Sequence, residues 1–384
     1  MPIKPFLIHT AFVLLGGHAL ANDSSSELAV GGIVLVKNNA ITMQREDLFL
    51  SLSGVHVRYE MRNDTGKPVT LRVAFPLPEI PTWTPAGLDS RAGGHNIAIT
   101  PWRSSNFIDF RVSVNGEGVQ PETEIRAILP DGTDLTAALR EIGGEDLLLR
   151  PGLFEADYVP QTDREPRALD ARTRAKLKKL GALTEEGGPL YRLAWQTNVT
   201  FHWVQTFPQG VTIVEHTYRP IIGSQFIDTS TSNEIRGSGH PDPETGYCID
   251  GQTKRAIRKM AKDESVHGYL SGHTLSYILQ TARNWKGPIE TFHLTLQGGK
   301  GEASETLEKN TGRIDPAPSE MIMDLFESRA AIIRRAHEGK QILSLCTDLP
   351  IRKTGPLRFE ATVKDYMPKE DLNILFVEGS DLNQ

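Results

Sequence analysis

The sequence predicts a β-dominated α+β protein, made of antiparallel β-sandwich lobes with inserted helices. Three observations predict it. Apolar and polar residues alternate with a period of two along many short runs, as in Val55 to Arg62, where odd positions are apolar and even ones polar. Asn, Asp, Gly and Pro bound those runs with turn chemistry, as at Asn63 to Gly66 and at Asn115-Gly116. The chain has 384 residues, 39% hydrophobic and 23% charged, a globular composition that excludes wholesale disorder and a polytopic membrane protein. No period of about 20 to 50 residues recurs, which excludes solenoids and propellers.

Residues 1–21 read as a secretory signal peptide. Lys4 gives a positive start, Phe6 to Leu15 an apolar run, and Ala19-Leu20-Ala21 a small-x-small cleavage site before Asn22. That run is far shorter than the about 20 residues of a bilayer span, and His9 interrupts it. The expected location is the periplasm, or the medium, with no membrane span in the mature chain. Cys248 and Cys346 are the two cysteines. In an oxidising compartment an even pair is most simply a disulfide, with a catalytic thiol as the alternative.

The first lobe is expected over 22–130. Val69, Leu71, Val73 and Phe75 alternate with polar or small neighbours, so 55–62 and 69–75 are expected to form a hairpin through Asn63 to Gly66. Ile108, Phe110, Val112 and Val114 repeat the pattern before Asn115-Gly116, with 119–129 as the returning strand. A helical insert is expected over 131–188, with Leu135, Ala138, Leu139 and Ile142 on one helix face. Its second helix, 169–180, carries Arg172, Arg174, Lys176, Lys178 and Lys179 and stops at Gly181. That cluster is read as a solvated face, with an anionic polysaccharide or lipid headgroup as the alternative partner.

A second β-rich lobe is expected over 189–384. Strand patterning marks 195–205 and 211–218, which are expected to pair. A polar loop is expected between Ile222 and Asp250, then helices at about 251–262 and 272–284. Strand patterning resumes at 289–296, 341–346, 357–363 and 372–377.

The chain lacks a Walker A loop, HExxH, GxSxG and a dinucleotide fingerprint. The net charge of −6, from 42 Lys+Arg and 48 Asp+Glu, gives no bulk attraction to nucleic acid. The best chemical constellation is His202, Glu215 and His216, a carboxylate and two imidazoles on strands expected to pair, suited to acid–base or metal work. Glu215 and His216 are neighbours, so a strand points them to opposite faces unless a bulge intervenes. A second metal candidate is the His240 to Glu244 loop, with Asp242 between. His267 and His273 are read as capping or packing residues.

Several runs resemble one family. Asn22 to Gly32, Arg45-Glu46-Asp47-Leu48, Ala74 to Ile80, Trp203 to Pro208, Glu215 to Pro220, Tyr247-Cys248 and Asn284 to Ile289 resemble the exported bacterial family catalogued as domain of unknown function 4424. About 40 residues, Gly299 to Lys340, look like an insertion in that pattern, with an amphipathic helix expected near Ser319 to His337. The resemblance marks Cys248 as a landmark cysteine and lends no catalytic residue and no cofactor. The function expected is a non-enzymatic binding or scaffolding module of the cell envelope, with an envelope protein or glycan as partner. The alternative is a periplasmic hydrolase or metal-dependent enzyme using His202, Glu215 and His216.

Overall fold

The computed structural model describes residues 24–29, 32–78, 80–81, 105–149, 153–155, 168–187, 190–230, 234–237, 242–262, 270–298, 341–355 and 357–379. The strands of the first half are β1 (Ser24–Ala29), β2 (Gly32–Leu35), β3 (Ile41–Ser51), β4 (Val55–Asn63), β5 (Val69–Pro76), β6 (Ile80–Pro81), β7 (Arg111–Val114), β8 (Glu117–Val119), β9 (Glu122–Ile128), β10 (Leu153–Glu155), β11 (Leu183–Gly187) and β12 (Leu190–Leu193). Those of the second half are β13 (Gln196–Phe207), β14 (Gly210–Tyr218), β15 (Ile222–Asp228), β16 (Arg236–Gly237), β17 (Leu270–Tyr277), β18 (Ile289–Gln297), β19 (Gln341–Cys346), β20 (Arg352–Lys353), β21 (Arg358–Tyr366) and β22 (Leu372–Gly379). The α-helices are α1 (Thr136–Gly143), α2 (Glu145–Leu148), α3 (Ala171–Lys179), α4 (Pro243–Gly246) and α5 (Gly251–Ala261).

The fold is β-dominated α+β, with antiparallel pairing throughout except between β3 and β18, which run parallel. An eight-stranded sheet has the order β20-β21-β18-β3-β4-β14-β7-β8. A six-stranded sheet runs β2-β1-β5-β13-β6, with β9 on the other side of β13. A five-stranded sheet runs β16-β15-β17-β22-β19, and β10, β12 and β11 form a small fourth sheet. Strands from both ends of the chain thus share the largest sheet.

The inner face of that sheet is covered by two others. The six-stranded sheet lays Phe75, Phe201 and Trp203 over it, and the five-stranded sheet lays Leu275, Tyr277, Ile374 and Phe376 in the same core. Tyr59 of β4 and Tyr277 of β17 bring their hydroxyls 3.5 Å apart across that junction. The alternation in β4 does what its period dictates: Val55, Val57, Tyr59 and Met61 are all buried.

The two hairpins expected around 63–66 and 205–211 are arches instead. β4 and β14 lie in the eight-stranded sheet while β5 and β13 lie in the six-stranded one, so each turn carries the chain from one layer to the other. Asn63 ties the two arches together: its Nδ2 donates to Lys67 O and Phe207 O, both at 2.9 Å, and its Oδ1 accepts from Thr65 N. A same-sheet hairpin would have stacked the apolar faces of both strands side by side; the arch places them face to face across a core. Asn115-Gly116 does form the expected hairpin, with positive φ at both residues (51° and 83°) as a type I′ turn requires. The returning strand is the short β8, and β9 then leaves for the other sheet.

Three further expectations are corrected. The stretch 131–188 holds α1, α2 and α3 but also β10 and β11. The polar loop after Ile222 is β15, β16 and α4 in part, held by pairing to β17. The helix expected over 272–284 is β17 followed by a 3-10 turn, Gln280–Asn284. In β17 Leu275 and Tyr277 pack on the main core, so the period is two and not 3.6. By contrast α3 and α5 fall where expected, N-capped by Asp170 and Asp250, whose side chains accept from Thr173 N and Thr253 N. In α3 Lys178 pairs with Glu185 at 2.8 Å and the Arg174 guanidinium lies over the Tyr191 ring. The helix expected near 319–337 lies outside the described residues.

Candidate functional site

His216 is fully buried on the inner face of β14. Its ring sits 5.1 Å from Phe110, 5.3 Å from Phe75, 5.4 Å from Trp203 and 5.5 Å from Tyr59, centroid to centroid. Those rings come from four strands or loops of two sheets, so the imidazole is a packed member of the sandwich interior. Edge-to-face contacts of this kind are favourable beyond the area they bury.

His202 lies on β13, one residue before Trp203. Trp203 points inward to His216, so the strand points His202 to the outer face of the six-stranded sheet, away from His216. There its Nδ1 lies 2.9 Å from Nη1 of Arg72. A guanidinium only donates, so Nδ1 accepts and the neutral ring carries its proton on Nε2. Burial holds this imidazole below its ordinary pKa; Glu122 and Glu124 oppose the shift and Arg72 adds to it.

Glu215 points to the outer face of the eight-stranded sheet. Its partner there is His56 of β4, with Nε2 to Oε1 at 3.7 Å, and both side chains are about one-third exposed. Beside them Arg45 pairs with Asp47 along β3 and Arg58 with Glu60 along β4, each at 2.7 Å, and Arg58 reaches across to Asp47 at 3.9 Å. Burial lowers the pKa of His56 and Glu215 partly restores it. The structure therefore holds His202, Glu215 and His216 in three separate environments on three faces, and does not bring them together.

These shifts fix a pH dependence. Near the ordinary histidine pKa of about 6.5, the folded state binds fewer protons at His56 and His202 than the unfolded chain does. Stability then rises with pH through that window and is lost on acidification below it. His202→Gln, whose amide oxygen can accept from Arg72, is expected to flatten the slope of unfolding free energy between about pH 7 and 5.5. Urea titrations across that range measure it, and an unchanged slope would count against the assignment.

In the second metal candidate Asp242 and Glu244 have other partners. Asp242 caps α4, its side chain accepting from Glu244 N at 3.0 Å and Thr245 N at 3.3 Å. Glu244 accepts from Ile235 N and pairs with Lys254, each at 2.5 Å. His240 and His267 lie outside the described residues. Among the described residues no group of three His, Cys, Asp or Glu side chains is placed to hold a metal ion. His273, read as a packing residue, sits on β17 with its Nε2 2.7 Å from Oε1 of Glu378 on β22, and both side chains are at most 9% exposed. Cys248 and Cys346 are bonded, with Cα atoms 5.0 Å apart.

A family model described as domain of unknown function 4424 matches residues 21–307 and 332–375. The chain belongs to that family. Several of the runs that carry the resemblance have defined places in the fold. Trp203 to Pro208 supplies the inward side chains of β13 and the arch beside Asn63. Glu215 to Pro220 brings His216 and Tyr218 into the interior, and burial pushes the Tyr218 hydroxyl pKa strongly up. Tyr247-Cys248 anchors the disulfide. Among solved structures, one similar to this member is a candidate nutrient-binding protein from Legionella pneumophila. It is 13% identical, the match covers 94% of this chain and 72% of that one, and the TM-score is 0.33, too low to bear on fold or function. No curated protein matches the chain. Among the described residues no helix is long and apolar enough to cross a membrane.

Proposed function

We propose that this member of the family is an exported, non-enzymatic binding or scaffolding module of the bacterial envelope, with an envelope protein or glycan as partner. The observation that carries the reading is the separation of His202, Glu215 and His216. One is bonded to Arg72 on an outer sheet face, one faces His56 on another, and one is enclosed by aromatic rings. A hydrolytic or metal-dependent step through those three groups needs them to converge on one reacting atom. Export is supported by Lys4, the apolar run after it and the Ala19-Leu20-Ala21 site. The disulfide also suits an oxidising compartment.

The test has two arms. Intact mass of protein recovered by osmotic shock is expected to correspond to a chain starting at Asn22; a full-length, cell-retained chain would contradict export. Purified protein is expected to bind an isolated envelope glycan, or a crosslinked envelope protein, saturably. A hydrolytic activity abolished by each of His202→Gln, Glu215→Gln and His216→Phe would overturn the reading in favour of an enzyme.

A further inference from the structure

The described residues form two hydrophobic cores, and the smaller one is fastened differently from the larger. Ile227, Ile235, Tyr247, Ile249, Ile257, Met260, Leu270, Leu375 and Val377 form the smaller core on one face of the five-stranded sheet. The opposite face of that sheet packs Leu275, Tyr277, Leu372, Ile374 and Phe376 into the main core. The sheet is thus held on one side by the bulk of the protein and covered on the other by α4, α5 and the chain between them.

That cover is thin. α5 spans 11 residues and buries two of them, Ile257 and Met260. A helix of this length is marginal by itself and depends on what holds it in place. The polar ties include Ser344 Oγ donating to Tyr247 O at 2.9 Å, a side-chain hydrogen bond between Tyr247 and Thr274 of β17, Ile235 N donating to Glu244, and the Glu244–Lys254 pair. The covalent tie is Cys248 to Cys346, joining the link between α4 and α5 to the last residue of β19. Tyr247 and Ile249 are buried in the small core, while Cys248 between them is exposed. Its φ is +52°, the left-handed region that a non-glycine residue enters only when its surroundings impose it. The bond therefore lies on the solvent side of the cover, within reach of a reductant, and fastens a segment whose helix buries two side chains.

We propose that Cys248–Cys346 is a redox-sensitive latch whose reduction by a dithiol loosens α4, α5 and the small core from the five-stranded sheet while the other sheets stay folded. A thiolate of the dithiol attacks one sulfur, breaking the S–S bond and leaving a mixed disulfide and one cysteine thiolate. The second sulfur of the dithiol then displaces the other cysteine. Cys248 and Cys346 together gain two electrons and two protons, and the dithiol ends as its own disulfide. The proposal stands on the disulfide and the second core, and is independent of the binding reading.

Hydrogen exchange followed by mass spectrometry on the full chain tests it, oxidised, after dithiothreitol, and after reoxidation with oxidised glutathione. At labelling times too short for global unfolding to label β4, β13 and β14, exchange in 243–261 is expected to rise at least about tenfold on reduction, while those strands stay protected, and to return on reoxidation. The chain carrying Cys248→Ser and Cys346→Ser is expected to match the reduced protein. Unchanged exchange in 243–261 would overturn the latch. So would exchange throughout the reduced chain, or failure of the double variant to fold, because the bond would then hold the whole protein.

Discussion

Replacing Phe110 by alanine is expected to lower the unfolding free energy by about 3 to 5 kcal/mol, the range for truncating a fully buried phenylalanine. Phe110 is the middle ring of a stack, 4.9 Å from Phe75 and 4.6 Å from Phe201, and it also touches His216. Its backbone is held on both sides by Asn106, whose Oδ1 accepts from Phe110 N at 2.7 Å and whose Nδ2 donates to Phe110 O at 3.0 Å. The neighbours belong to three separate strands, so they cannot collapse together into the space left behind. Phe110→Leu keeps most of the volume and is expected to cost less, about 1 to 2 kcal/mol. Equilibrium urea unfolding reads both values. A loss below about 1 kcal/mol for the alanine variant would mean that the stack is not part of the cooperative core.

Removing the disulfide is the other large effect. A chain with Cys248→Ser and Cys346→Ser is expected to lose up to about 4 kcal/mol, since closing a loop of about 100 residues restricts the unfolded chain by about 4.7 kcal/mol in the loop-entropy account. The separation here is 98 residues. The denaturant slope is expected to steepen as well, because an unfolded chain without the crosslink exposes more surface. Both quantities come from the same titration. A double variant as stable as the parent would show that strain in the native bond cancels its effect on the unfolded chain. Lost global stability and a locally loosened α5 are compatible, because the two cores lie on opposite faces of the five-stranded sheet.

Much of this architecture was legible from periodicity. The alternation in β4 and β5, the type I′ turn at Asn115-Gly116 and the capping aspartates of α3 and α5 all formed as their residue types dictate. What periodicity does not carry is which sheet a strand joins. An arch and a hairpin use the same turn residues, and only the burial of both faces across a core separates them, so periodicity alone pairs β4 with β5 and β13 with β14. In β17 Ser271, Gly272, Thr274 and Ser276 dilute the apolar alternation, so its period of two is hard to see in the sequence.

Two buried carboxylates, Glu46 and Glu378, are marked by the parity of their strands. In β3 the inward residues are Ile41 and Met43, then Leu48 and Leu50, a switch from odd to even that signals an extra residue. The structure has a register shift between Met43 and Arg45, and Glu46, which shares parity with Leu48, is fully buried. Glu378 shares parity with Ile374 and Phe376, and it too faces inward, against His273. The candidate triad failed on the same rule read the other way: adjacency in β14 sends Glu215 out and His216 in, and no bulge in β14 reverses it.

The separation of the candidate residues is tested most directly by a double-mutant cycle on unfolding free energy, using His202→Gln, Glu215→Gln and the chain carrying both. The two side chains lie on the outer faces of different sheets, bonded to Arg72 and facing His56 respectively. The account predicts additivity to within about 0.5 kcal/mol. A coupling above about 1 kcal/mol would place the two residues in one network and contradict it.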